Sequence, residues 1–409
     1  RVVGLSGLRA YTAGEDPDAL FDRVSTNEAA IAAMGETVPV LSDGERLRRY
    51  LKKLAIIKDG GSEVIRICAG PADSWWDRPY AGAELLARFA ADGIAMSSSG
   101  YISLNPDLEK STGVTITQGD GSTALNDGAA DWTHEDAHTG SGNGQLSGSG
   151  NALSTTDTDR TFLATGIKAE TIHLTYHDTG TGAFRYRTNG GSWTTVTMLD
   201  SGDAVRIQVA SGLSGSANTL EIDTTVNTIG QTVRLLDIYA DGTAAGVQFN
   251  QMANAASTAL DWDGFKDAWI QEITEMDIDL TIAALGVNDQ RQGDSPETFG
   301  ATMQGIFDDY AVALPYSQVL MVCPPRCSSE GDGGTSSMQD FGAQYSALYG
   351  AHDFTEICRL DKLWGSFAEE DATPTTFEPD GDHLNDNTNS GAYKRYVGAF
   401  YDRMLRRLV

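Results

Sequence analysis

Two stretches of this chain repeat one pattern, a short and nearly continuous apolar run followed by an amphipathic helix. Near the start, "EVIRICAG" (63–70) ends at Gly70, and "YAGAELLARFAADG" (80–93) is stopped by Gly93. Later come "IDLTIAALG" (278–286), "TFGATMQGIFDDYAVAL" (298–314), "SQVLMVCPP" (317–325) and a last helix, "SGAYKRYVGAFYDRMLRRL" (390–408). A strand that is apolar on both faces has to be covered on both, and the helices between such strands supply the cover. The pattern predicts an α/β unit with a parallel sheet between two helical layers.

Residues 105–245 read differently. They are crowded with Gly, Ser, Thr, Asn and Asp, and contain no cysteine and, after Pro106, no proline. Apolar residues fall on alternate positions at Ile172, Leu174 and Tyr176, at Phe184 and Tyr186, at Val205, Ile207 and Val209, at Leu220 and Ile222, and at Val233 and Leu235. "RTNGGSW" (187–193) carries the Asn-Gly hairpin signal. Short alternating strands with turns between them predict an antiparallel β-sandwich inserted into the α/β unit. Both ends of the insert are expected at the edge of the sheet where function collects. The chain then divides into a helical, stalk-like segment (1–58), the first part of the core (59–104), the inserted sandwich (105–245) and the second part of the core (246–409). Within the first segment, "DALFDRVSTNEAAIAAM" places Leu20, Val24, Ile31 and Met34 near a coiled-coil spacing, with Asn27 at a core position. It reads as an oligomerising stalk or as a short helix docked on the body. "DGERLRRYLKKLAII" (43–57) puts Leu47, Leu51 and Leu54 on one helical face.

Lys and Arg number 29 against 57 Asp and Glu, a formal net charge of −28 that disfavours nucleic acid and anionic membranes as partners. No stretch approaches the ~20 uninterrupted apolar residues a membrane helix needs, so membrane insertion is not expected. An acidic surface suits an extracellular or virion-associated setting. The chain opens on Arg1, which suggests that a leader or a larger N-terminal part has been removed. Cys68, Cys323, Cys327 and Cys358 are too few for a disulfide scaffold. Cys68 and Cys323 lie in apolar runs and read as buried small hydrophobes. Cys323 and Cys327 bracket two prolines with no second cysteine pair nearby, which argues against zinc.

In an open parallel sheet, function collects at the carboxyl ends of the strands. "GPADSWWDRP" (70–79) puts Ser74 after one strand, and "LGVND" (285–289) puts Asn288 after another. "EPDGDHLN" (378–385) sets Asp380 three residues before His383, on the loop leading to the last helix. Acyl transfer needs these types: a hydroxyl nucleophile, an imidazole to take its proton, a carboxylate to orient the imidazole, and amide donors for the oxyanion. Over roughly 63–104 and 246–409 these segments resemble the SGNH (GDSL-like) hydrolases, which implies a flavodoxin-like three-layer α/β/α core. "ADSWWD" resembles the family's first block and implies Ser74 as nucleophile. "LGVND" resembles the third and implies Asn288 as a side-chain oxyanion donor. "DGDH" resembles the fifth, with Asp380 and His383 completing the triad. The second block normally offers a glycine amide, and "GVQFNQMANAAS" (246–257) puts Ala256 there, or Ala255 if the loop is one residue shorter. Ala72 stands where the family has glycine before Asp-Ser. Hydrolysis through an acyl-enzyme implies no cofactor.

Two motifs compete with this reading. "HEDAH" (134–138) spells the zinc-protease helix signature, but the glycine-rich "TGSGNGQLSGSG" that follows cannot continue a helix, and no metal is expected. "DWDGF" (261–265) hints at a calcium loop, yet Phe265 occupies a ligand position. Trp75 and Trp76 read either as packing beneath the nucleophile loop or as a face for a sugar ring, with Arg78 on a polar substituent. Trp132, Tyr186 and Trp193 are aromatic candidates in the insert. The expectation is an esterase that removes O-acetyl groups from a polysaccharide, with the acetylated polysaccharide as partner and a homo-oligomer, a trimer first, as the assembly. Glycan deacetylases of the resembled family, phage tail proteins among them, include this arrangement of an inserted sandwich. The rival reading is a non-catalytic carbohydrate-binding or adhesive fibre protein that kept the fold. A lipase is disfavoured because no long apolar lid is visible.

Overall fold

A computed structural model describes residues 39–406 except 107–108, 120–131, 141, 216, 329–335, 371–375 and 386–390. The heptads expected before residue 35 lie outside the described residues. The chain begins with α1 (Arg48–Lys58), β1 (Val64–Ala72), α2 (Ser74–Asp77), α3 (Pro79–Ala91) and β2 (Gly100–Ser103). The insert follows with β3 (Thr115–Gln118), β4 (Thr133–Asp136), β5 (Asn151–Thr155), β6 (Thr161–Lys168), β7 (Thr171–His177), β8 (Ala183–Thr188), β9 (Thr194–Thr197), β10 (Ala204–Ala210), β11 (Ala217–Asp223) and β12 (Val233–Asp241). Then come β13 (Gly246–Gln251), α4 (Ala259–Glu275), β14 (Leu280–Ala284), α5 (Val287–Gln292), α6 (Pro296–Ala313), β15 (Gln318–Cys323), α7 (Met338–Ala351), β16 (Thr355–Arg359) and α8 (Ala392–Phe400).

Beyond β2, five parallel strands lie in the order β13-β1-β14-β15-β16. Counted along the chain this is the flavodoxin-like order 2-1-3-4-5. Helices α4, α6 and α7 pack in a row over one face, and α3 packs with α8 over the other. Every residue of β13, β14, β15 and β16 is buried, as cover on both faces requires. The sequence did not announce β16, because "TEICR" is too polar to read as a buried strand. Arg359 pairs with Asp361 at 2.6 Å, and Glu356 Oε1 accepts from the Arg46 amide at 2.5 Å, while its buried Oε2 has no hydrogen-bond partner among the described residues. Helix starts follow their caps. Thr258 and Asp261 form a capping box before α4, Ser337 and Asp340 form one before α7, and the Ser295 side chain caps α6 ahead of Pro296. No helix among the described residues is long and apolar enough to cross a membrane.

Each alternating run in the insert is a strand, and Asn189 and Gly190 turn the β8–β9 hairpin with φ of 50° and 67°. One sheet of the sandwich stands alone, in the order β3-β6-β11-β8-β9. The other does not. Strands β10, β7 and β12 continue through β2 into β13, so insert and hydrolase share one 11-stranded sheet. Two apolar cores result, and β2 serves both: Tyr101 packs beneath the helices, while Ile102 packs between the sheets with Phe162, Leu174 and Leu220. The expectation that both ends of the insert sit at the active-site edge is corrected. Strand β2 is parallel to β13 and delivers the chain to that edge, but β12 runs antiparallel to β2 and hands it back at the opposite one.

Candidate active site

Strand β1 ends at Ala72, and Asp73 caps α2 by accepting the Trp75 amide at 3.1 Å. Ser74, the first residue of α2, is thereby held at the carboxyl edge of the sheet. Its Oγ donates to His383 Nε2 at 2.9 Å, and His383 Nδ1–H donates to Asp380 Oδ2 at 2.5 Å. A carboxylate on Nδ1 fixes the tautomer that leaves Nε2 free to accept. The other oxygen of Asp380 accepts the amides of Asp382 and His383, each at 3.0 Å. Partial burial works against its charge, but these bonds prevail and hold the Asp380 carboxyl down to about 2. The loop is pinned by the Phe377–Leu384 bridge and by the Glu378 amide on the His383 carbonyl at 2.8 Å. At Gly381, with φ of 73°, a Cβ would lie 2.5 Å from Ser328, so glycine is required.

The candidate oxyanion donors come from three neighbouring loops. The Ser74 amide opens α2 and has no intrahelical acceptor. Asn288 is buried near the start of α5, and its Nδ2 donates to the Ser257 carbonyl at 3.2 Å. The amide nitrogen carries a second hydrogen that can serve a ligand. Just before Ser257, Ala256 is exposed and has φ of 61°, a left-handed conformation that costs a residue with a Cβ about 1–2 kcal/mol. Of the two alanines considered for the glycine position, Ala256 rather than Ala255 holds the glycine-like conformation.

The sugar-platform expectation for Trp75 and Trp76 is corrected. They are 2% and 0% exposed, packed with Tyr396, Phe249 and Phe400. Trp75 Nε1 donates to the Asp382 carbonyl at 3.0 Å and Trp76 Nε1 to the Tyr396 hydroxyl at 2.9 Å. An indole whose ring and N–H are both spent inside the core offers no face to a ligand. Arg78 stays partly exposed and pairs with Glu378 at 2.7 Å. Trp132 is likewise core, bonded to the Thr161 carbonyl at 3.2 Å, whereas Trp193 lies beside Arg185 and Arg187. The two "HEDAH" histidines sit on and just after strand β4, not on a helix. His134 meets Asn151 at 2.9 Å and His138 meets Asp261 at 2.8 Å. Asp261 belongs to a helix cap, so the calcium-loop hint dissolves. All four cysteines are buried and free.

Sequence reasoning missed the two acids next to Ser74 and Asn288, which single positions give no means to weigh. Burial pushes both Asp73 and Asp289 up to about 7, with Asp77 adding to the first and Asp294 and Asp73 to the second. Asp289 Oδ1 accepts the Ala259 amide at 2.8 Å, while its buried Oδ2 has no hydrogen-bond partner among the described residues.

No protein-family model and no curated protein matches the sequence. Among solved structures, a peptidoglycan O-acetylesterase superposes with a TM-score of 0.67 at 15% identity, over 90% of this chain and 99% of that one. A family two carbohydrate esterase from Cellvibrio japonicus aligns at 9% identity, over 72% of this chain and 97% of that one, but with a TM-score of 0.27 it carries no weight. At such identities the first likeness speaks for the fold.

Proposed function

We propose that this chain, whose fold is that of the SGNH hydrolases, is a serine esterase that removes small acyl groups, O-acetyl first, from a polysaccharide. One observation carries the reading: an unbroken relay from Ser74 Oγ through His383 to an ionised Asp380. In this mechanism Ser74 Oγ attacks the ester carbonyl as its proton passes to His383 Nε2. The carbonyl oxygen takes up the electron pair, facing the amides of Ser74 and Ala256 and the Asn288 side chain. Collapse of the tetrahedral species breaks the bond to the sugar oxygen, which leaves with the proton from Nε2. Water then repeats the sequence on the acyl-enzyme and releases acetate. Asp380 stays charged throughout and stabilises the imidazolium.

The acetylated-polysaccharide substrate is supported by the fold shared with a peptidoglycan O-acetylesterase and by a sandwich built into the same sheet. Turnover of p-nitrophenyl acetate and acetate release from acetylated glycans test both halves of the proposal. Ser74→Ala and His383→Ala should each lower kcat by about 10³-fold or more at unchanged thermal stability, because triad members act as a unit. Near wild-type turnover by Ser74→Ala would remove the nucleophile. Turnover of the small ester with none of the glycans would leave an esterase of another substrate class.

A further inference from the structure

We infer that the insert holds the oxyanion loop in place, and that Asp136 is the positioning residue through which it acts. Ala256 sits in a left-handed conformation that a residue with a Cβ does not choose by itself. Such a conformation persists only where the surroundings over-determine it. Two residues earlier, Asn254 is fully buried, with its amide on the Ala72 carbonyl at 3.0 Å and its own carbonyl accepting Ser257 Oγ at 2.7 Å. Its side chain reaches into the insert. Nδ2 donates to Asp136 Oδ1 and to the Ser149 carbonyl, each at 3.2 Å.

The same carboxylate oxygen accepts the His138 amide at 3.0 Å, and the His138 ring meets Asp261 at 2.8 Å. Asp261 closes the capping box that fixes where α4 begins, directly after the loop. The "HEDAH" segment therefore grips the loop on both sides of Ala256, at Asn254 and at Asp261. The gripped loop also positions Asn288, whose side chain bonds the Ser257 carbonyl. Slack in it would displace two candidate oxyanion donors together, and small displacements of such groups are costly in the transition state.

The catalytic consequence rests on the esterase reading; the mechanical claim does not, so the experiment reads both in the full chain. Backbone hydrogen exchange over 253–258 is followed in Asp136→Ala and Asp136→Asn, with β15 as an internal control, alongside kcat and KM on p-nitrophenyl acetate. Asp136→Ala should speed exchange in the loop alone and lower kcat about tenfold, with KM within about twofold. Asp136→Asn keeps an acceptor oxygen and should stay near wild type in both. His138→Ala removes the second anchor without touching Asp136, and should move both readouts the same way to a smaller extent. It decides the question should Asp136→Ala not fold. Unchanged loop exchange in Asp136→Ala, or in His138→Ala where that variant decides, overturns the inference. Faster exchange with unchanged kcat overturns its catalytic part. A wild-type chain that turns over no ester refutes the esterase reading by itself and leaves exchange to judge the mechanical claim.

Discussion

Ser74 and His383 stand 309 positions apart in the chain and 2.9 Å apart in the fold. Each came from a segment quoted for its residue types, and the fold joins the segments. Asn288 is different: its role depends on one of its two amide hydrogens being left for the substrate after the other is given to Ser257. Asn288→Ala should cost about 100- to 1000-fold in kcat, the range seen when one oxyanion donor is removed, with little change in KM. Steady-state kinetics on a small acetate ester check this, and a loss confined to KM would mean that Asn288 binds substrate and not the transition state. The tryptophans mark where residue types mislead. Two adjacent indoles beside a nucleophile look like a sugar platform in sequence, and only packing reveals that both rings face inward.

Among the elements, the joint between β10, β12 and α4 concentrates buried charge. Arg206 of β10 bonds Glu272, pairs with Glu275 at 2.8 Å and approaches Asp237 of β12 at 3.6 Å, while Thr175 of β7 donates to Asp237 at 2.7 Å. Burial, with help from Asp237, pushes Glu272 up to about 8 even though Arg206 opposes it. Arg206→Met would leave Asp237 and Glu272 without their cation; the carboxyls can take up protons in its place, so the loss in urea unfolding near neutral pH should be about 1–3 kcal/mol and should grow as pH rises. A loss below about 1 kcal/mol would mean that the joint is wet. Asp73, Asp289 and Glu272 share a sign. Each folded pKa lies above its unfolded value, so between about pH 4 and 8 the folded state binds more protons, and these groups lose stability as pH rises. Asp380 runs the other way: its folded value of about 2 contributes stability above pH 4 that is lost as pH falls toward 2. Asp289→Asn should therefore flatten the fall of Tm between pH 4 and 7 and stabilise more at pH 8 than at pH 4. An unchanged slope would show that Asp289 is already ionised in the fold.

For the whole molecule, the shared sheet changes what removing the insert can do. A sandwich docked on a finished enzyme could be cut away and leave small-ester turnover intact. Here β12 pairs with β2 and the insert's strands cover one core of their own. Its first residues also reach the helix that carries Ser74: Lys110 donates to Asn105, and Asn105 bonds the buried Asp77 carboxylate. Replacing 105–245 with a Gly/Ser linker should give a chain with no cooperative thermal transition and no esterase activity. A folded chain active on p-nitrophenyl acetate would show that the hydrolase stands without the insert.

The sequence determined this protein's layers and its chemistry-bearing segments. Apolar runs alternating with helices can be buried only as a covered parallel sheet, and period-two runs only as half-buried strands. The candidate nucleophile, base, acid and Asn288 were legible because their types serve one reaction and their segments resemble one family's blocks, with Ser74 and Asn288 also following predicted strands. The tertiary structure decided what depends on partners distant in the chain. It turned β16 into a core strand by pairing Arg359 with Asp361 and giving Glu356 the Arg46 amide, buried Trp75 and Trp76, and placed the left-handed turn at Ala256. It also joined insert and hydrolase through β2, because a strand's second edge is open to whichever neighbour the chain brings to it, and no local pattern names that neighbour.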